Sequence, residues 1–271
     1  MIPKISITVS DITVTYKNGH TALRNTNFSL PEGTIAALVG VNGSGKSTLL
    51  KAIMGFVHLA SGSVSISGMS TRQALQRSLI AYVPQTEIID WSFPVLVEDM
   101  VMMGRYGHMG VLRIPCKQDK LFVTKSLERV DMLMLRHRHI GELSAGQRKL
   151  LFLARAIAQQ GKIILLDEPF TSVDVKTETK IINLLRELRS EGKTIFVATH
   201  NLGTVSTFCD HAVIVKNTVL ASGPTETTLT LENLERAFGG MLRQLPLNTS
   251  GVKIITDGEL PFVSHRQTGD N

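Results

Sequence analysis

The sequence predicts an α/β fold in which a mostly parallel sheet carries a phosphate-binding turn, with antiparallel strands before it and a helical insert within it. Three observations predict this. Residues 35–50, IAALVGVNGSGKSTLL, read as a buried strand, a glycine-rich turn and the start of a helix. In KIILLDEP, residues 162–169, a second apolar run ends in two carboxylates, Asp167 and Glu168. Between them, residues 92–160 change from two-residue alternation to apolar spacing of three and four, the period of packed helices.

The first stretch has the spacing Gly40, four residues, Gly45, Lys46, Ser47, the P-loop pattern. Glycines let consecutive backbone N–H groups turn inward on polyphosphate oxygens, and the helix that follows adds its positive dipole end. Gly40, Asn42, Gly43, Ser44, Gly45, Lys46, Ser47 and Thr48 are therefore candidate nucleotide-binding residues. Lys46 suits the β- and γ-phosphates and the Ser47 hydroxyl suits Mg²⁺.

Composition bounds the remaining possibilities. The chain has 271 residues, 43% hydrophobic and 19% charged, which is ordinary for a globular protein with a full core. No apolar run approaches a membrane span, and MIPKISITVS lacks the order of a signal peptide, so a cytosolic chain is expected. Cys116 and Cys209 lie far apart and read as free thiols. The formal charge of +6 is spread without a basic block interleaved with aromatics, so a basic surface is expected and no nucleic-acid partner.

Taken in order, Ile5, Ile7, Val9, Ile12, Val14 and Tyr16, then Phe28 and Leu30, alternate as half-buried antiparallel strands. Tyr16 stands beside the turn Asn18-Gly19, where its ring can pack at a strand edge or stack on a purine. Residues 61–68 and 79–83 are further short strands, the latter leading to Pro84-Gln85. VLVEDMVMMGR and the stretch 117–135 read as amphipathic helices, so residues from about 86 to 160 form a helical subdomain. Arg136-His137-Arg138-His139 reads as a solvated basic turn with no acid at ligand spacing. Ser144 in Leu143-Ser144-Ala145-Gly146-Gln147 is an N-cap for the helix that follows, and such a helix start is an open anion site.

Asp167 and Glu168 end their strand at the carboxyl edge, where α/β sheets bind ligands. Asp167 suits a Mg²⁺ shell, and Glu168, projecting the other way, suits polarising a water for attack on the γ-phosphate. His200 ends another strand at the same edge. A helix from about Asp174 to Ser190, a hairpin around Asn217-Thr218 and a short helix LENLERAFG complete a domain over 1–241. Residues 242–271, and most clearly those from Asn248, are expected to be a weakly structured tail.

The ordered set GVNGSGKST, YVPQ, LSAGQ, ILLDEP, SVD and the histidine of ATH resembles the ATP-binding subunit of ATP-binding cassette (ABC) transporters over roughly residues 5–238. The fold this implies is a P-loop NTPase core of RecA-like type with an N-terminal antiparallel β subdomain and an inserted helical subdomain. The resemblance implies ATP and Mg²⁺ as cofactors, adenine on Tyr16, and Gln85 and His200 approaching Mg²⁺ and the γ-phosphate. It further implies two cassettes, with Leu143–Gln147 of one closing over ATP on the other and Asp174 signalling across the dimer. Ala145 departs from the usual signature glycine, which matters only if its φ is positive. The segment WSFPVLVEDMVMMGRYGHMG looks like the permease-docking segment of bacterial importers of manganese, iron or zinc, or of chelated iron. That implies a peripheral subunit at the cytoplasmic face of the inner membrane, a separate permease contacting residues near 86–110, and an extracytoplasmic substrate-binding protein. A soluble cassette ATPase acting on DNA or ribosomes is the rival reading, and the short span from Gln85 to Leu143 leaves no room for the long coiled-coil insert such proteins carry.

Overall fold

The computed structural model describes residues 4–85 and 89–239, and the backbone of 243–247, 253–257 and 260–266. Two sheets stack on one another. Strands β1 (Ile5–Thr15) and β2 (Thr21–Pro31) pair antiparallel, and with β4 (Ser61–Ile66) and β5 (Met69–Ser70) they form a sheet in the order β2-β1-β4-β5. The second sheet has the order β10-β9-β3-β8-β7-β6 and is built from β3 (Ile35–Val39), β6 (Ile80–Val83), β7 (Ile163–Asp167), β8 (Thr194–Thr199), β9 (His211–Val215) and β10 (Val219–Pro224). All neighbours in it are parallel except β10, which returns antiparallel on β9 at the edge.

Strand β3 shows how the layers arise. All five of its residues are buried, and alternate ones enter different cores. Ala36 and Leu38 meet Ile7, Val9, Ile12 and Leu23 of the antiparallel sheet together with Leu49 and Ile53 of α1 (Lys46–Ile53). Ile35, Ala37 and Val39 face the other way, towards α5 (Ala145–Ala158) and α6 (Val175–Ser190). Two-residue alternation in a strand covered on both faces requires both sets to be apolar, hence the unbroken run IAALV.

The insert holds α3 (Val97–Met102), a 3₁₀ turn (Met103–His108), α4 (Lys117–Arg129) and α5. Its helices pack through Val101, Val123, Leu127, Leu150 and Leu151. One helix is expected over 117–135, but α4 stops at Arg129. Asp131 takes φ 59°, its N–H and that of Met132 close back on Glu128 and Leu127, and its carboxylate accepts from Lys180 at 2.8 Å. This is a left-handed helix cap, which apolar periodicity does not reveal. In the first turn of α4 the buried Asp119 pairs with the buried Arg105 at 3.0 Å, and Arg105 also donates to the Ala158 carbonyl.

Asn217, in the β9–β10 turn at φ 57°, ties three segments together. Its N–H donates to Ser44, its carbonyl accepts from Arg24, and its amide donates to Ala22. The weakly structured tail expected over 242–271 lies partly outside the described residues. The described backbone there forms β11 (Arg243–Leu247), β12 (Lys253–Asp257) and β13 (Leu260–Arg266), in the order β11-β13-β12. The register sets Ile254 opposite Val263 and Ile255 opposite Phe262, residue types that favour strand pairing.

Candidate functional site

The carboxyl ends of β3, β7 and β8 converge on one cleft, and the turn after β3 forms its floor. Gly45 caps α1 at φ 103°, and a Cβ there would stand 2.7 Å from Leu23 Cδ2 and 3.0 Å from the Ala22 carbonyl. Gly43, at φ 82°, also uses backbone space that side chains rarely enter. The cleft encloses about 370 Å³ and is lined by Tyr16, Asn42, Gly43, Gly45, Lys46, Ser47, Thr48, Gln85 and Glu168. Gly40 and Ser44 lie behind this wall. The Gly40 carbonyl accepts from Lys46, and Ser44 is buried with its carbonyl accepting from Asn217.

Lys46 Nζ donates to the carbonyls of Gly40 at 2.8 Å and Val41 at 3.3 Å and sits 3.5 Å from Glu168 Oε1. Burial pulls its pKa down from the ordinary lysine value, and the Glu168 carboxylate opposes that shift. Glu168 is 4% exposed, and its other oxygen meets His200 Nδ1 at 2.9 Å. That hydrogen bond raises the His200 pKa against the effect of its own burial. Glu168 has φ 50°, a backbone conformation that non-glycine residues seldom adopt, while its N–H is fixed to the Ala198 carbonyl. The strain aims its side chain between Lys46 and His200.

Asp167, one residue earlier, points behind the turn. Its carboxyl bonds the Ser47 hydroxyl and takes a 3.5 Å bond from Tyr82 Oη. Burial raises its pKa, partly offset by the Ser47 bond, and Oδ1 is buried with no partner among the described residues. An orphaned carboxylate oxygen beside a hydroxyl is an oxygen-rich donor set of the kind that suits a hard divalent cation. Tyr16 Oη bonds Thr48 Oγ1 at 3.0 Å, which leaves the ring 37% exposed at the cleft edge.

A second hollow of about 570 Å³ adjoins the first through Asn42, Gln85 and Glu168 and extends past Ser172, His200 and Asn201. Gln85 thus stands where the two meet, and its carbonyl accepts from Lys149 Nζ of α5 at 2.7 Å. Leu143, Ser144, Ala145, Gly146 and Gln147 line neither space. Leu143 is buried, Ser144 caps α5 through a reciprocal bond with Gln147, and Ala145 opens the helix without a positive φ. Gly146 approaches Thr177, whose N–H and hydroxyl both bond Asp174, the cap of α6. These bonds hold the Asp174 carboxyl below its ordinary pKa.

Sequence reasoning missed four contacts. Tyr82 reaches Asp167 across 85 residues, and Lys149 reaches Gln85 across 64. The basic turn at 136–139 is bound to an acid after all: Glu98 takes Arg136 at 2.6 Å and His137 at 3.1 Å. No group of three or more metal-ligating side chains forms among the described residues.

A sequence profile of the ABC transporter family matches residues 23–171. This chain belongs to the ABC transporter family. Within that family it is 58% identical to the chelated iron transport system membrane protein YfeB of Yersinia pestis, over 97% of this chain and 92% of that one. It is 57% identical to the manganese transport system ATP-binding protein MntA of Synechocystis, over 91% and 95%. An inward-facing ABC transporter described as of metal-chelate type superposes with a TM-score of 0.78 at 28% identity, covering 96% of each chain. As an ABC transporter ATPase the chain binds nucleotide, and its family works as paired cassettes with a membrane permease. No helix among the described residues is long and apolar enough to cross a membrane.

Proposed function

We propose that this chain hydrolyses ATP at Glu168 and that paired copies couple the reaction to import of a transition-metal ion through a separate permease. The observation that carries the reading is the position of Glu168, a buried carboxylate held between Lys46 and His200 at the wall of the cleft. Such a carboxylate can accept a proton from a water attacking the γ-phosphate. Lys46 supplies positive charge to the β- and γ-phosphates, backbone N–H groups of 42–48 wrap them, and the exposed face of Tyr16 takes the adenine. His200 holds Glu168 in place and faces the γ-phosphate.

Ser47, Asp167 and Gln85 would hold Mg²⁺, and the unpartnered Asp167 Oδ1 supports this assignment. A magnesium ion held there would neutralise charge on the phosphates. Ser144 and Gly146 lie outside their own chain's cleft, which supports their use on the partner cassette's ATP, with Asp174 beside them at the seam. Residues near 86–110, with Phe93, Met103 and Tyr106 exposed, meet the permease, and an extracytoplasmic protein delivers cargo. The chain then sits peripherally on the cytoplasmic face of the inner membrane.

Relatives named for manganese and for chelated iron support metal cargo, with a chelate as the second reading. Uptake of radioactive manganese, iron and zinc, and separately of chelated iron, by cells carrying the native chain or Glu168→Gln tests both. Uptake of one metal that disappears with Glu168→Gln supports the proposal. Unchanged uptake of all three removes it, and loss of chelated iron uptake alone favours the second reading.

A further inference from the structure

One surface is left unused by the proposed reaction. Residues 111–118 are exposed without interruption, and three of them are large aliphatics: Val111 is 101% exposed, Leu112 81% and Ile114 71%. Elsewhere large exposed hydrophobics such as Phe56, Met134 and Val175 stand singly, as is normal on soluble surfaces. Three within four residues is a cluster, and it protrudes instead of lining a groove.

Its charge is equally one-sided. From 103 to 127 the chain carries Arg105, Arg113, Lys117, Lys120 and Lys125 against the single acid Asp119, a formal balance of 5 − 1 = +4. Asp119 is buried and committed to Arg105, so no exposed carboxylate remains in the segment. Lys117, Lys120 and Arg113 are all exposed and pair with no acid among the described residues, and Arg113 stacks at 5.2 Å over the half-exposed ring of Tyr106. Protruding aliphatics with exposed cations beside them in the chain, none paired to an acid among the described residues, match the chemistry of an anionic bilayer surface, where apolar tips enter the headgroup layer and ammonium groups meet phosphates. A partner helix would need a concave apolar seat, and a full-exposure valine offers none.

We infer that the loop over 111–120 rests on anionic phospholipid, a contact separate from the permease and the nucleotide. The inference assumes the membrane placement proposed above and none of the roles given to Glu168 or His200. The test is co-sedimentation of the full chain with vesicles of pure phosphatidylcholine or of phosphatidylcholine with phosphatidylglycerol, at low and high salt. The native chain is expected to bind the anionic vesicles, more weakly at high salt, and the neutral ones poorly. Lys117→Glu with Lys120→Glu should lower partitioning at least fivefold per cation, the equivalent of about 1 kcal/mol each. Leu112→Ser with Ile114→Ser should lower it at least about tenfold. ATPase activity measured alongside should be unchanged in both variants, showing intact folding. Absence of binding by the native chain, equal binding to neutral vesicles, or variants that bind like it overturn the inference. So does loss of permease co-purification by the variants in the absence of vesicle binding, which assigns the loop to a protein. A chain without ATPase activity that still binds anionic vesicles would refute the proposed reaction and leave this contact standing.

Discussion

Glu168→Gln isolates the basicity of one side chain from its shape. The amide keeps the volume of the carboxylate in a site only 4% exposed, and its oxygen can still accept from Lys46. Lys46 retains the Gly40 and Val41 carbonyls, so the change does not strand its charge. The stability loss should therefore stay below the roughly 3–5 kcal/mol of a buried pair broken with no other partner. What disappears is the proton acceptor, and general-base catalysis contributes about 10²–10⁴ in rate, or about 3–5 kcal/mol of barrier. Turnover should fall at least a hundredfold, with ATP affinity nearly native and a nucleotide-retaining dimer accumulating. Steady-state phosphate release, filter-bound ATP and light scattering measure the three quantities. Near-normal kcat would remove Glu168 from the role, and lost ATP binding would show that the residue serves the ground state instead.

Gly45→Ala should destabilise the fold by about 1–3 kcal/mol in urea melts, because the new Cβ meets Leu23 and Ala22 at a positive φ. His200 should titrate above its ordinary value by NMR because Glu168 favours the imidazolium, and Glu168→Gln should bring it back down. With the folded pKa raised, the stabilisation from this contact is complete below about pH 6.5, the unfolded value, and disappears as pH rises through the folded pKa. Lys149→Met releases the Gln85 carbonyl, so kcat should drop several-fold with little change in ATP affinity, and Lys149→Arg should restore it. An equal loss in KM would show a structural role only.

Much of the site was legible because its parts are short linear patterns at strand ends. Gly45 and Gly43 take the positive φ angles expected of a phosphate turn, and Glu168 and His200, both placed at one sheet edge from their strands, are in contact. Ala145 opens a helix and has no positive φ, the one condition under which its departure from glycine is expected to matter. Pairings between distant segments were not legible. Tyr82 with Asp167 and Glu98 with Arg136 join residues on different elements, and nothing local marks either partner. The end of α4 at Arg129 was hidden because Asp131 caps it by a backbone conformation, while the apolar spacing runs on to Leu133. In β12 and β13 the register sets Ile254 opposite Val263 and Ile255 opposite Phe262, strand-favouring residue types within a composition that otherwise reads as turns.

Asn217 gives the molecule a mechanical property of its own. A single residue grips the back of the phosphate turn at Ser44 and the second antiparallel strand at Ala22 and Arg24. Loosening one grip exposes the other two, so the amide hydrogens of Arg24 and Asn217 should exchange with deuterium at a common rate, set by one shared opening event. Through these three bonds the N-terminal sheet is tethered to the back of the phosphate turn, so a displacement of the one bears on the other.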